Sequence, residues 1–203
     1  MLQFKRFTGG PYETNCYLLE SPGGNILFDA PEGADAHFAE DRIDLLVLTH
    51  GHWDHTASAA AIKRRHGCPV LCHEETVPMI ETADFFERQG FPLRIEPLAA
   101  DRIIGEGKAQ DLSGLTFDVL DVPGHCPGSI CFYQPEEGVL IGGDVIFRGG
   151  VGRWDLPGGD GGLLLRGIKE KILPLPGQTV ILPGHGPETS VDREKTSNPF
   201  LRD

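Results

Sequence analysis

The chain of 203 residues is long enough for one large domain that spans residues 1–203, and its 39% hydrophobic and 24% charged residues are ordinary for a globular protein. Its formal net charge of -12 argues against nucleic-acid binding, because contacts with phosphate groups need a basic face. No apolar run approaches the ~20 residues that span a bilayer, and the start of the chain lacks the apolar segment of a secretory signal, so we expect no membrane association. The five cysteines show no framework spacing, which favours a reducing, cytoplasmic location.

The first half of the sequence predicts strands followed by strand–helix units. LQFKRF alternates apolar and polar residues, as a strand does, and TNCYLLES and NILFDAP predict a hairpin whose turn is Ser21–Gly24. ADAHFAED predicts a short helix, and the apolar run IDLLVLTH predicts a strand buried on both faces. The alanine-rich segment from Thr56 to His66 predicts a helix that ends at Gly67. PVLCHE predicts another buried strand, and TVPMIETADFFERQ predicts a helix that ends at Gly90.

The second half repeats this alternation. LTFDVLDVPGH and SICFYQ predict strands, and VLIGGD predicts a third strand after the turn PEEG. The glycine-rich segment from Phe147 to Gly162 predicts a loop, in which Asp160 has the position of a helix N-cap. LLLRGIKEKIL predicts a helix, and TVILPGHG predicts a final strand. The pattern is typical of an α/β protein, in which loops at the carboxyl ends of neighbouring strands converge on a site.

Chelating side chains cluster at these strand ends. His50 and His52 are two residues apart at the end of a strand, so both side chains can lean towards one face. Asp54 and His55 follow where the chain turns into a helix. Further chelating residues end three later strands, namely His125 in PGHCPG, Asp144 in GGD and His185 in PGHG. Two zinc ions that share a water need about six protein ligands and a bridging carboxylate, and this set is large enough for such a dinuclear site.

The sequence THGHWDH matches the T-H-x-H-x-D-H signature of the metallo-β-lactamase superfamily, and the later His, Asp and His occur in the order usual for that family. The chain most resembles the short glyoxalase II group, to which TNCYLL, GGDVIFRGGVGRWDLPGGD and NPFL are also similar. The resemblance covers essentially the whole chain and implies a four-layer αβ/βα sandwich of two mixed β-sheets flanked by helices. It also implies a ligand set in which His50, His52 and His125 bind one ion, Asp54, His55 and His185 bind the other, and Asp144 bridges them.

The same resemblance implies an activity. It implies two divalent ions, either zinc or else iron or manganese, and a hydroxide between them that Asp54 orients for attack on a small-molecule thioester such as S-D-lactoylglutathione. A monomer or a small homo-oligomer is expected. One alternative is a mononuclear iron persulfide dioxygenase of the same fold, for which His50, His125 and Asp144 would serve as ligands. Another alternative is a lactonase or a β-lactamase.

Residues outside the ligand set have expected roles as well. Asp29, at the end of NILFD, is expected to orient a ligand histidine, and Thr49 is expected to support the same site. Arg148 and Arg153 are the candidates for substrate binding, since the longer glyoxalase II enzymes carry a basic residue in this region. Because the sequence ends soon after His185, we expect it to lack the C-terminal helical domain that binds glutathione in those longer enzymes. We therefore expect a weaker or broader specificity among thioesters.

Overall fold

The computed structural model of the chain describes residues 2–202, which form two compact units. The first unit contains the residues up to Ile104 together with Leu112–Leu115, and the second contains Gly105–Asp111 together with the residues from Thr116 onwards. The expectation of one domain over residues 1–203 stays a prediction. Within residues 2–202, no helix is both long enough and apolar enough to cross a membrane.

The first unit is built on a mixed sheet whose strands lie side by side in chain order. The strands are β1 (Phe4–Gly9), β2 (Thr14–Leu19), β3 (Ile26–Phe28), β4 (Leu45–Val47), β5 (Val70–Cys72) and β6 (Arg102–Ile103). β1, β2 and β3 pair antiparallel, which confirms the predicted hairpin, and β3 to β6 pair in parallel. Every residue of β3, β4 and β5 is buried, as the continuous apolar runs predict. The predicted short helix is present as α1 (Ala34–His37) between β3 and β4.

The helix predicted from Thr56 to His66 is divided in two, so the prediction is wrong in its start and in its continuity. The two pieces are α2 (Trp53–Thr56) and α3 (Ala59–His66), and Ser58 lies between them. The Ser58 N–H donates to the carbonyl of Ala30 at 2.9 Å, and this tertiary contact takes the place of a hydrogen bond within the helix. α3 ends, as predicted, at a glycine in the left-handed conformation.

The helix predicted for TVPMIETADFFERQ is also interrupted. A 3-10 turn, Glu74–Thr76, leads into α4 (Val77–Glu81), and α5 (Phe85–Arg88) follows after a break. In the break, Thr82 has extended backbone, and the carbonyl of Ala83 accepts from the Ile95 N–H at 3.0 Å. A contact with the following loop therefore overrides the local helical preference.

The second unit contains another mixed sheet. Its strands are β7 (Gly107–Leu112), β8 (Leu115–Asp121), β9 (Ile130–Gln134), β10 (Val139–Gly143), β13 (Val180–Pro183) and β14 (Thr189–Ser190). Between β10 and β13 the chain forms a separate hairpin of β11 (Ile146–Phe147) and β12 (Gly150–Val151). The order across the sheet is β14, β13, β10, β9, β8, β7. β8 and β10 are each antiparallel to β9, and β10 is parallel to β13. Consequently β8, β10 and β13 run in one direction, and their carboxyl ends lie at the same edge of the sheet.

The glycine-rich segment from Phe147 to Gly162 predicts a loop, and this prediction is wrong for the start of the segment. The hairpin of β11 and β12 occupies it, with the two strands paired antiparallel. The turn between them contains Gly149, whose φ of +72° is a left-handed conformation that glycine adopts readily. The two strands of this hairpin are too short to show the alternation of apolar and polar residues from which a strand is predicted.

Among the described residues, the second unit contains two α-helices. α6 (Gly161–Gly167) begins, as predicted, after Asp160, whose carboxylate accepts from the Leu163 N–H at 2.9 Å. A π-helical turn, Ile168–Ile172, continues α6 through the rest of the predicted segment. The other helix, α7 (Val191–Ser197), is not predicted, because one of its two buried residues is a glutamate and the apolar pattern of a helix is missing.

Candidate metal centre

In the first unit, one buried carboxylate ties together the ends of the parallel strands β3 and β4. Asp29 follows β3, and its N–H donates to the Val47 carbonyl at 2.9 Å. Its φ of +61° is a conformation that aspartate adopts more readily than most residues other than glycine. From this bend, the carboxylate accepts from both the N–H and the hydroxyl of Thr49, each at 2.8 Å. From the sequence, Asp29 is expected to orient a ligand histidine and Thr49 to support the same site, and the structure places these two residues in contact.

Asp29 orients two of the predicted ligands, one directly and one through Thr49. Its Oδ2 lies 2.8 Å from Nδ1 of His55. Since a carboxylate only accepts, Nδ1 of His55 carries the proton and the lone pair is on Nε2. Thr49 Oγ1 donates its own proton to Asp29, so it accepts from Nδ1 of His50 at 3.0 Å, and His50 also has its lone pair on Nε2. Both tautomers are those that a metal ion bound at Nε2 requires.

His52 and Asp54 complete the cluster in this unit. The ring centroid of His50 lies 4.9 Å from that of His52 and 4.2 Å from that of His55. Oδ2 of Asp54 accepts from Oγ1 of Thr14 at 2.8 Å and lies 3.6 Å from Nε2 of His55. The four predicted ligands of THGHWDH thus lie together. Thr14 has no predicted role, although it begins TNCYLL, and the similarity of that stretch to the glyoxalase II group is a signal that points to it.

We expect Asp29→Asn to weaken the binding of a metal ion by about 10–100-fold with little loss of stability. Asparagine tolerates a positive φ, and its amide oxygen can accept from the Thr49 N–H. Its amide nitrogen, however, would face the proton on Nδ1 of His55. That proton would then move to Nε2, and the lone pair needed for a metal ion would be lost. The dissociation constant of the ion, measured by competition with a chelator, checks this expectation.

Asp35→Asn is the matched control in the same unit. Asp35 accepts a hydrogen bond from Ser58 Oγ at 2.9 Å, so the substitution also turns a partly buried carboxylate into an amide. The dissociation constant is expected to stay at the wild-type value. If Asp29→Asn bound the ion as tightly as Asp35→Asn does, Asp29 would have no orienting role.

In the second unit, the predicted ligands follow the three strands that run in one direction. His125 follows β8, Asp144 follows β10 and His185 follows β13. Nε2 of His185 lies 3.2 Å from Oδ2 of Asp144, and Nε2 of His125 lies 3.6 Å from the same oxygen. Nδ1 of His125 donates to the carbonyl of Arg153 at 2.7 Å, which again places the lone pair on Nε2.

Gly152 packs directly against two of these ligands. A Cβ atom at this position would lie 1.9 Å from the carbonyl oxygen of Asp144 and 3.1 Å from Cβ of His125. The N–H of Gly152 donates to the carbonyl of Val145 at 3.3 Å, which holds the backbone in this place. Glycine is required here by a tertiary contact, and sequence reasoning does not identify it.

The separations of the donor atoms within each unit fit a metal ion. Two atoms that bind one tetrahedral zinc ion at 2.0–2.2 Å are about 3.4 Å apart. The nitrogen–oxygen separations are 3.6 Å in the first unit and 3.2 and 3.6 Å in the second. Imidazole nitrogens and carboxylate oxygens are a donor set that zinc, iron and manganese all accept. The residues of each unit are therefore suited to holding a divalent ion.

The two arginines that the sequence suggests for substrate binding each donate hydrogen bonds to another residue of the chain. Nε and Nη2 of Arg148 donate to the carbonyl of Glu188 at 2.9 and 2.6 Å. The guanidinium of Arg153 donates to both carboxylate oxygens of Asp155, at 2.7 and 2.9 Å. This hydrogen bonding by Arg153 lowers the pKa of Asp155. An incoming anion at Arg153 would have to compete with that carboxylate.

The chain is similar to several known proteins. The family model of the metallo-beta-lactamase superfamily matches residues 9–185. A hydroxyacylglutathione hydrolase of Haemophilus influenzae, GloC, is 36% identical over 94% of this chain and 93% of its own length. The crystal structure of a B3 metallo-β-lactamase, BLEG-1, has a TM-score of 0.90 and 35% identity over 99% of this chain and 100% of its own. The protein TTHA1623, solved in a di-iron-bound form, has a TM-score of 0.87 and 37% identity over 97% of this chain and 100% of its own. The predicted fold class, two mixed sheets flanked by helices, is confirmed.

Proposed function

This chain belongs to the metallo-β-lactamase superfamily, and from that premise we propose that it is a dinuclear metal-dependent hydrolase that cleaves thioesters, as glyoxalase II does. The observation that carries the proposal is that hydrogen bonds through Nδ1 orient three of the proposed histidine ligands. His50, His55 and His125 each engage a protein group through Nδ1, which fixes the lone pair on Nε2. Histidines that bind a metal ion almost always donate the N–H of their other ring nitrogen to a protein acceptor or to water, so this arrangement favours metal ligation.

The proposed ligand set is the one that the family signature implies. By that signature, His50, His52 and His125 would hold one ion, Asp54, His55 and His185 would hold the other, and Asp144 would be shared. The 3.6 Å separation in the first unit joins donors of the second ion, Asp54 and His55. In the second unit, Asp144 lies within 3.6 Å of one donor proposed for each ion, as a shared carboxylate must.

When bound, divalent ions supply Lewis acidity that polarises a carbonyl oxygen and activates water near neutral pH. The chain's own residues position the reactants around that chemistry. Asp54 orients the attacking water, and the hydrogen bond from Thr14 fixes the rotamer of its carboxylate. The leaving group is a thiolate whose conjugate acid has a pKa of about 8.5, so it departs without a protein acid. This suits a site in which the histidines are used to hold metal.

The proposed substrate is a hydroxyacyl thioester of glutathione, of which S-D-lactoylglutathione is the example. The 36% identity with a hydroxyacylglutathione hydrolase over nearly the whole chain supports it. Arg148 and Arg153 stay candidates for the glutathione carboxylates, and Arg153 would exchange its contact with Asp155 for one with substrate. We propose zinc as the ion and iron as its substitute, since the related TTHA1623 was solved in a di-iron-bound form.

The test combines metal analysis with a substrate panel on protein purified without added chelator. We expect two metal ions per chain and a kcat/KM for S-D-lactoylglutathione in the enzymatic range, about 10⁴ M⁻¹s⁻¹ or above. Other thioesters are expected to be hydrolysed as well, and lactones and β-lactams more slowly. Removal of the ions by a chelator is expected to abolish hydrolysis, and zinc is expected to restore it.

One result supports a second candidate. The B3 metallo-β-lactamase BLEG-1 is 35% identical with a TM-score of 0.90, which favours β-lactam hydrolysis as the alternative activity. Turnover of a chromogenic cephalosporin with no turnover of thioesters would establish that alternative and overturn the thioesterase proposal. One iron per chain, with oxygen uptake on glutathione persulfide in place of hydrolysis, would overturn it in favour of a persulfide dioxygenase.

A further inference from the structure

A buried carboxylate joins the last helix to the β11–β12 hairpin. Glu194 in α7 is 0% exposed. Its Oε2 accepts from the Gly149 N–H and from Nδ2 of Asn198, both at 2.8 Å, and its Oε1 accepts from the hydroxyl of Thr189. Burial of a carboxylate costs free energy unless hydrogen bonds compensate, and here donors from the hairpin, from β14 and from the residue that follows α7 do so. The carboxylate therefore specifies where the hairpin turn lies.

Other residues near the C-terminus contact the same region. Nδ2 of Asn198 donates to the carbonyl of Gly150 at 2.9 Å, so the hairpin turn is bound through both a donor and an acceptor. The ring of Phe200 packs edge-on against Trp154, with the centroids 6.1 Å apart. The C-terminal segment, residues 188–200, thus contacts the hairpin and the residues that follow it.

The hairpin in turn leads directly into two backbone groups that contact proposed ligands. Gly152 follows β12 and packs against the carbonyl oxygen of Asp144. Arg153 comes next, and its carbonyl accepts from Nδ1 of His125. A shift of the hairpin would move both contacts at once, because only one residue separates β12 from Arg153.

We propose that Glu194 is a positioning residue for the metal centre. It holds the hairpin so that Gly152 and Arg153 keep Asp144 and His125 in the arrangement that binds an ion. The proposal rests on the proposed function and adds a residue outside the family signature, which acts through the hairpin. What matters is the acceptor geometry of the side chain, and its charge is secondary.

Three variants of the full chain test this. Glu194→Gln keeps an acceptor for Gly149 and Asn198, and its amide can donate to the Thr189 hydroxyl, which can accept as well as donate. Glu194→Leu keeps similar bulk but has no acceptor. Val191→Ala, on the same helix at a position 1% exposed, removes core contacts and serves as the matched control for destabilisation. For each we would measure the zinc dissociation constant by chelator competition, the melting temperature, and the exchange rate of the Gly149 amide proton.

We expect Glu194→Gln to bind zinc with the wild-type dissociation constant. Glu194→Leu is expected to bind about tenfold more weakly and to exchange the Gly149 proton at least about tenfold faster. Val191→Ala is expected to melt at a lower temperature with an unchanged dissociation constant. Wild-type zinc affinity in Glu194→Leu would overturn the proposal. So would a loss of zinc affinity in Val191→Ala or in Glu194→Gln as large as that in Glu194→Leu. If the wild-type protein itself bound no zinc, the proposed function would fail first and the role of Glu194 in metal binding with it.

Discussion

Replacement of Asp144 by alanine is expected to abolish metal binding at the proposed dinuclear site and to lower kcat/KM for thioester hydrolysis by at least about 10³-fold. Oδ2 of Asp144 lies 3.2 Å from Nε2 of His185 and 3.6 Å from Nε2 of His125, so the substitution removes the carboxylate that both histidines share. A bound ion stabilises transition-state charge by several kcal/mol, and about 4 kcal/mol corresponds to that factor. Metal content per chain and kcat/KM, measured on one preparation, check the expectation.

Asp160→Ala is the control for the loss of a carboxylate in the same unit. Asp160 caps α6 by accepting from the Leu163 N–H, so its removal is expected to lower the free energy of unfolding by about 1 kcal/mol. Metal content and turnover should stay at wild-type levels. His52→Ala, in the first unit, is expected to behave like Asp144→Ala. A metal-depleted Asp144→Ala or His52→Ala protein that kept wild-type turnover would refute the metal-dependent mechanism.

Gly152→Ala is expected to lower both stability and metal affinity although it replaces none of the proposed ligands. The new Cβ would lie 1.9 Å from the carbonyl oxygen of Asp144, far inside van der Waals contact, so the backbone on one side has to move. Overpacking of this kind costs about 3 kcal/mol of unfolding free energy, which corresponds to a fall in Tm of roughly 6–12 °C for a chain of this length. Because the neighbouring Arg153 carbonyl orients His125, the zinc dissociation constant is expected to rise at least about tenfold.

Gly105→Ala is the matched control for Gly152→Ala. A Cβ atom at Gly105 would have no heavy atom within 4 Å among the non-neighbouring residues that the structure describes. This substitution is expected to change the unfolding free energy by less than about 0.5 kcal/mol and to leave zinc affinity as it is. Equal metal affinity in the two glycine variants would show that the contact between Gly152 and Asp144 does not position the ligand.

The predictable part of the fold follows from local apolar patterns. The runs around β3, β4 and β5 predict buried strands because each run is continuous and short, and a strand buried on both faces needs that pattern. The elements that were not predicted, or were predicted wrongly, lack such a local apolar pattern. β6 has two exposed residues, the β11–β12 hairpin depends on a glycine turn, and the helix predicted from Thr56 to His66 is interrupted where the Ser58 N–H bonds to Ala30. In each case a contact distant in sequence, or a turn without apolar residues, decides the structure.

The ligand candidates were predictable for the same local reason. His50, His52, Asp54 and His55 are close together in sequence, and the remaining candidates each end an apolar strand. Few residue types bind metal ions, so the spacing of these residues indicates a metal site even in a single sequence. The family, the fold class and the set of candidate ligands are therefore determined by the sequence itself.

Only the tertiary structure decides how those candidate ligands are oriented. Asp29 meets Thr49 and His55 across 20 and 26 residues of chain, and Glu194 meets Gly149 across 45. Aspartate and glutamate are usually exposed, and their side chains acquire these partners only when strand pairing and helix packing bury them. Such contacts have no local signature, because the donor and the acceptor come from different elements. The histidine tautomers and the place of the hairpin beside His125 and Asp144 are consequences of packing.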